Sequence, residues 1–219
     1  MATGSEILAV AAREIGYHEG KGKHNKYGEW YGMDCVPWCV EFVDWVYAQA
    51  DVHGPKLGLK KNEGGTASCG ELLNWYKKNQ PDCISDHGVP GCPVIFDFPN
   101  TKYATDHIGI FVKLDGKRIV TIDGNTSADN NSNGGWVQQR RRNLSYANPV
   151  YIIPRELEED VKRYQTLDEI KAEAPWAAPT IQKLMKAGAL NGDGNGLDLS
   201  YDMLREFVVN DRMGVYGRG

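Results

Sequence analysis

A cysteine, a histidine and an acid–amide pair occur in this chain in the order that thiol chemistry needs. Cys39 lies in Pro37-Trp38-Cys39-Val40-Glu41-Phe42-Val43-Asp44-Trp45, which reads as a helix beginning at the cysteine. Pro37 favours such a start, because its missing N–H would have had no partner there. Cys39, Val43 and Val46 share one helical stripe, and Trp38, Phe42 and Trp45 a neighbouring one. Glu41, Asp44 and Gln49 are the only polar relief, so the helix is expected to be buried on most sides. Unpaired first-turn amides and the positive end of the helix dipole favour thiolate over thiol, and the thiolate is the nucleophile. Taken alone, a buried cysteine is as well explained by packing.

The downstream residues supply the rest. His107 opens a strand directly after Asp106, and Asp123 and Asn125 differ from Thr121 by even steps. Both are therefore expected on one strand face, turned toward His107. A nucleophilic thiol needs a base for its proton, and the base needs an acceptor that fixes its tautomer and ring orientation. Cys39, His107 and then Asp123 or Asn125 offer those roles. Asp123 is the favoured partner, since a bond to an ionised group is roughly twice as strong as a neutral one. His18, His24, His53 and His87 lie in Gly- or Lys-rich loops and read as solvated.

The elements that must position these residues can be read in order. Ser5 to Ile15 repeats apolar residues at helical spacing, with Ser5 as its cap and Gly16 as its stop. Tyr17 to Met33 reads as a loop rich in Gly, Lys and aromatics. Its Tyr27, Trp30 and Tyr31, with Trp38 and the later Trp136, are candidates for a substrate groove; a hydrophobic cluster beneath the loop is the alternative. A further helix runs from about Ser68 to Lys78, with Ser68 and Glu71 in capping-box register. Strands follow at 94–98, 107–112, 118–123, 135–140 and 149–153, with Asp115-Gly116 as a hairpin turn. Helices first and strands afterwards give an α+β fold. The domains are placed at 1–155 and 164–219, with a charged linker at 156–163. The second domain reads as small and helical, with one helix from Trp176 to Ala187 and another capped by Ser200.

Composition removes several functions. A net charge of −4 across 219 residues argues against nucleic acid as a partner, and Arg140-Arg141-Arg142 reads as a solvated strand or loop edge. No stretch approaches the ~20 apolar residues of a membrane span. Met1 to Glu6 lacks a basic n-region and an apolar h-region, so no signal peptide is expected. The five cysteines are an odd count without a C-x-x-C pair, so reduced thiols are expected rather than a disulfide framework. Cys83, His87 and Cys92 lie too far from the usual zinc spacing to assign a metal. No metal or cofactor is expected.

Three segments carry a family resemblance: Pro37-Trp38-Cys39-Val40-Glu41-Phe42-Val43, Asp106-His107-Ile108-Gly109-Ile110 and Ile122-Asp123-Gly124-Asn125-Thr126-Ser127. Together they resemble the CHAP family of cysteine, histidine-dependent amidohydrolases/peptidases, akin to NlpC/P60 enzymes. The resemblance covers about Ser5 to Pro154. It implies a papain-like fold and a peptidoglycan hydrolase, amidase or endopeptidase, with Cys39 as nucleophile, His107 as base and Asp123 or Asn125 as the third group. The pattern departs from the family at Asp34-Cys35 and at Cys92, and Cys35 could join Cys39 on oxidation. Cys35, Cys69, Cys83 and Cys92 are each expected to be dispensable for turnover. The loop before the cysteine holds only Glu19, Glu29 and Asp34, so the calcium of some family members is not carried over. From about Tyr164 the chain resembles S-layer-homology-like repeats, in one copy, implying a wall-binding or homo-oligomerising unit. Asn191, Asp193, Asn195, Gly196 and Asp202 also fit EF-hand offsets, with weak ligand charge. The implied role is that of a phage or prophage endolysin, made in the host cytoplasm and acting on the wall after release. A wall hydrolase of a secretion or conjugation apparatus and a non-catalytic wall-binding protein are the alternatives.

Overall fold

The computed structural model describes residues 1–102, 105–158, 162–192, 194 and 196–217. The chain forms two compact units, Met1–Asp160 and Val161–Gly219. In order, the first contains β1 (Ala2–Thr3), α1 (Gly4–Arg13), α2 (Lys26–Tyr31), α3 (Cys39–Gln49) and α4 (Cys69–Asn79). Strands β2 (Ile84–Ser85), β3 (Pro93–Phe96), β4 (His107–Asp115), β5 (Arg118–Thr126) and β6 (Trp136–Asn143) follow. The short α5 (Leu144–Ala147), β7 (Val150–Ile152) and β8 (Leu157–Glu158) complete it. The fold is α+β: helices precede an antiparallel six-stranded sheet of order β2-β7-β3-β4-β5-β6.

Strand alternation divides the core between the two faces of this sheet. Ile95, Ile108, Ile110 and Ile122 pack with Ile7, Phe42, Val43, Val46 and Leu72 of the helices. Val94, Phe96, Phe111 and Ile119 point the other way and pack with Phe98, Ala147 and Tyr151. A close approach holds α3 to β5, because a Cβ on Gly124 would lie 2.5 Å from Phe42 Cβ. Only glycine lets the backbone of β5 come that near.

Capping explains where the helices begin. Thr3, not Ser5, caps α1: its side chain accepts from Glu6 N–H, and Glu6 reaches back to Thr3 N–H. Ser68 caps α4 and accepts from Glu71 N–H, whereas the Glu71 carboxylate takes the Thr66 hydroxyl at 2.7 Å. The loop expected at Tyr17 to Met33 contains α2, capped by Asn25 and closed by Gly32 in the left-handed region at φ 94°.

Of the three polar residues of α3, Gln49 is exposed, while Glu41 and Asp44 are enclosed, in keeping with a helix buried on most sides. Asp44 Oδ1 accepts from Gly58 N–H at 3.0 Å and anchors the loop after the helix. Glu41 is fully buried, and among the described residues neither carboxylate oxygen has a hydrogen-bond partner. Burial first, then the charges of Cys39 and Asp34, push its carboxyl from 4.5 up to about 8. A carboxyl raised in the folded state costs stability as pH rises from the unfolded value toward the folded one. Glu41→Gln removes that cost. It is expected to stabilise the protein by on the order of 3 kcal/mol at pH 7 and to leave it unchanged below pH ~4. Melting temperature against pH checks this: the two curves should diverge as pH rises, and parallel curves would refute it.

The second unit contains β9 (Arg163–Tyr164), α6 (Leu167–Glu173), α7 (Ala178–Lys186), β10 (Leu199–Ser200) and α8 (Tyr201–Arg212). Ile170, Ile181, Leu184, Leu199, Leu204 and Val208 are buried in it, several around a common apolar core with Tyr164 and Ala177. Thr166 and Glu169 form a capping box on α6, a helix the apolar spacing did not reveal. Ser200 caps α8 through Met203 N–H. Trp176 precedes α7 rather than opening it, and its ring meets Tyr201 edge-on at 5.4 Å. Of the EF-hand-like positions, Asp193 and Asn195 lie outside the described residues.

Candidate active site

Cys39 is the first residue of α3, with Trp38 in the cap position. His107 is the first residue of β4 and pairs with Phe96 of β3. Asp123 lies on the neighbouring strand β5, opposite Gln138 of β6. His107 and Asp123 are completely buried, while Cys39 keeps 6% of its surface. His107 Nε2 meets Asp123 Oδ2 at 3.1 Å. Among the described residues, the other ring nitrogen, Nδ1, has no hydrogen-bond partner.

The same carboxylate is held from the other side. Arg142 of β6, also buried, places Nη1 2.7 Å from Asp123 Oδ2. Its Nε donates to Asn131 Oδ1 at 3.0 Å, and its guanidinium lies 5.0 Å from the Phe96 ring centre and 5.6 Å from that of Phe98. Those two rings also stack beside His107. The arginine run is therefore no solvated edge throughout. Arg141 is the exposed member and pairs with Asp115, but Arg142 turns inward because strand alternation puts it on the face of Phe96 and Asp123. Room for the carboxylate comes from Gly109: a Cβ there would lie 2.1 Å from Asp123 Oδ1.

Asn125 does not join this group. A bulge interrupts the β5–β6 register between Asp123 and Thr126, and Asn125 adopts the left-handed region at φ 55°. That breaks the even-step relation that would have kept both side chains on one face. Its Nδ2 donates to Ser132 O at 3.2 Å, and its Oδ1 accepts from Gly135 N–H at 3.2 Å. Asn125 thus fastens the loop between β5 and β6, and its placement as a partner of His107 is corrected. Asn125→Gly keeps the backbone geometry but deletes both bonds. It is expected to cost about 1–2 kcal/mol and to leave the pH dependence of Cys39 alkylation unchanged. Thermal melting and alkylation rates would check both parts.

The groove residues are also redistributed. Tyr27 and Trp38 are fully buried and stacked at 5.1 Å. Tyr27 donates to Glu14 Oε2 at 2.5 Å, and Trp38 Nε1 to Glu19 Oε2 at 2.7 Å. Tyr31 is buried as well. These three are core, as in the cluster alternative: α2 carries Tyr27 and Tyr31 inward, and the start of α3 carries Trp38. Trp30 is half-buried beside Lys60, 5.8 Å from its ring centre. Trp136 is exposed and lies against His18 at 4.1 Å between ring centres.

One further sulfur stands at the centre. Cys69 Sγ lies 4.0 Å from Cys39 Sγ. Cys35, the expected oxidation partner, instead lies against His24. Nothing in the spacing signalled Cys69, since 30 residues of helix and loop separate it from Cys39.

The electrostatics follow from these contacts. The Cys39 thiol is lowered well below its usual range by its bond with Cys69, and His107 adds to this against the opposing effect of burial. Burial pulls the His107 imidazole down, yet Asp123 and Cys39 more than offset it, and the net direction is up. Burial pushes the Asp123 carboxyl up, but Arg142 and His107 prevail and hold it at about 2.

Among the described residues, the ligand atoms of His24, Asp34 and Cys35 gather within 4.8 Å of one another. His24 Nδ1 already meets Asp34 Oδ2 at 2.7 Å. Cys35 Sγ is 3.4 Å from His24 Nδ1 and 3.9 Å from Nε2. As arranged, the three form a hydrogen-bonded turn.

Residues 30–125 match the CHAP domain. No curated protein matches the chain. Among solved structures, it is similar to Ly7917, alone and with the hydrolyzing product of MDP. Each has a TM-score of 0.37 and 14% identity, covering 75% of this chain and 66% of that one. It is also similar to an NLP/P60-family protein, described as similar to lipoprotein, from Staphylococcus aureus subsp. aureus Mu50. There the TM-score is 0.34 with 14% identity, over 68% of this chain and 41% of that one. The chain spans just under two thirds of Ly7917 and under half of the staphylococcal protein.

Proposed function

We propose that the unit Met1–Asp160 is a thiol hydrolase that cleaves amide bonds of bacterial peptidoglycan. The observation that carries this reading is the chain Cys39, His107, Asp123, Arg142, in which a thiol at a helix start faces a buried, oriented imidazole. The Cys39 thiolate attacks the amide carbon, and the carbonyl electrons move to oxygen. The Cys39 N–H and its neighbours in the first turn of α3, which have no intrahelical partners, stabilise that oxyanion. His107 then gives its proton to the leaving nitrogen, and a thioester remains on Cys39. Nδ1 is the nitrogen that carries this proton, since Nε2 is committed to Asp123. A water activated by His107 clears the thioester and restores the thiolate.

Digesting purified peptidoglycan tests the reading. New amino groups without new reducing ends are expected, because an amide hydrolase frees amines and a glycosidase frees hemiacetals. The freed residue also identifies the bond: alanine next to the lactyl group for an amidase, a residue within the stem or cross-bridge for an endopeptidase. New reducing ends alone would refute the reading.

The endolysin role is proposed on the same basis, with the unit Val161–Gly219 as a wall-binding or self-associating appendage. A chain ending at residue 160 is expected to keep the melting transition of the first unit, whose core is built from its own residues. It is expected to lose wall retention in a pull-down. Unchanged retention would leave the appendage without that role.

A further inference from the structure

Two helices, α3 and α4, each begin with a cysteine, and the two sulfurs are 4.0 Å apart. Both residues are buried, at 6% and 7% exposure. Their positive dipole ends, and those first-turn amides not taken by the Ser68 cap, therefore serve one enclosed spot, where negative charge is favoured from two directions. A negative charge shared there settles on the sulfur that has a base beside it. That is Cys39, which has His107; among the described residues no imidazole acts on Cys69, which feels the Asp106 carboxylate instead. The proton between the sulfurs accordingly belongs to Cys69. A thiol is a weak donor in neutral surroundings and a stronger one toward an anion.

We propose that Cys69 is a positioning residue for Cys39, its S–H donating to the Cys39 thiolate and holding that sulfur at the start of α3. The inference rests on Cys39 being the reactive thiol of the proposed hydrolase. A weak S–H donor would not by itself bring two sulfurs together, but it directs the charge once packing has done so. The bond to Cys39, then burial and the neighbouring anion, push the Cys69 thiol up, which keeps its proton in place across the neutral range.

The test uses the full chain under reducing conditions, with iodoacetamide as the probe and peptide mass mapping to read modification at Cys39 alone. Alkylation of Cys39 is followed against pH in the parent, in Cys69→Ser, which keeps a donor, and in Cys69→Ala and Cys69→Val, which do not. The parent and Cys69→Ser are expected to share a midpoint well below that of an ordinary thiol. Ala and Val are expected to move it up by about one pH unit, a roughly tenfold loss of thiolate below the midpoint. Far-UV circular dichroism and melting identify any variant that fails to fold, and Val, which is larger than cysteine, guards against a cavity at Ala. A midpoint unmoved in the folded donor-less variants, or moved equally in Ser, would overturn the proposal. A parent whose Cys39 titrates as an ordinary thiol would overturn the hydrolase reading itself.

Discussion

Cys39→Ala is expected to lower the release of amino groups from purified peptidoglycan by at least about 10³-fold, because no other group can form the acyl intermediate. Cys69 is the nearest alternative sulfur, but its proton is held and among the described residues no imidazole serves it. The fold should persist, since the substitution removes only one sulfur at a helix start. Melting temperature should therefore stay near that of the parent while activity disappears. Retained hydrolysis in a folded Cys39→Ala protein would remove the nucleophile assignment and the thioester route with it.

Arg142→Met is expected to destabilise the first unit by about 3–5 kcal/mol, the range for breaking a buried ion pair from one side. Asp123 would remain enclosed with His107 and the less direct charge of Arg140 to balance its own. For a unit of this size the melting temperature should fall by on the order of 10 °C. The pH dependence has a definite sign. A depressed carboxyl contributes stability that is present above its unfolded pKa and is lost as pH falls through the folded one. With Arg142 present that loss is confined to the region between the ordinary aspartate value of 3.8 and about 2. Without Arg142 the Asp123 carboxyl rises, so the acid-unfolding midpoint should move to higher pH. Adding Asp123→Asn to Arg142→Met removes the stranded charge and should restore part of the stability without restoring hydrolysis. If Arg142→Met alone melted like the parent, the pair would be contributing nothing to the fold.

The residues that share a local element were legible in the sequence. Cys39 could be placed on a helix start and His107 on a strand because apolar periodicity marks both elements directly. The antiparallel sheet followed from alternation and a hairpin signal. Asp123 could be preferred over Asn125 by charge, although the bulge that separates their faces leaves no trace in a pattern of even steps. What escaped was long-range. Arg142 read as solvated because its neighbours are charged, and only the pairing of β6 with β5 brings it to Asp123. Cys69 read as dispensable because the convergence of two helix starts is a property of packing. The aromatics of α2 read equally as groove or core, since the same composition serves both and burial alone divides them.

The Asp123 carboxylate is fixed by Arg142 at 2.7 Å and by His107 at 3.1 Å, and it occupies space that any side chain at Gly109 would claim. The site thus depends on an empty position as firmly as on its reactive ones. A catalogue of natural or engineered variants screened only for intact thiol, imidazole and carboxylate would pass chains in which the carboxylate had been displaced. For this fold, deciding whether a variant is a competent enzyme means checking which residue lies under the acid as well as the acid itself.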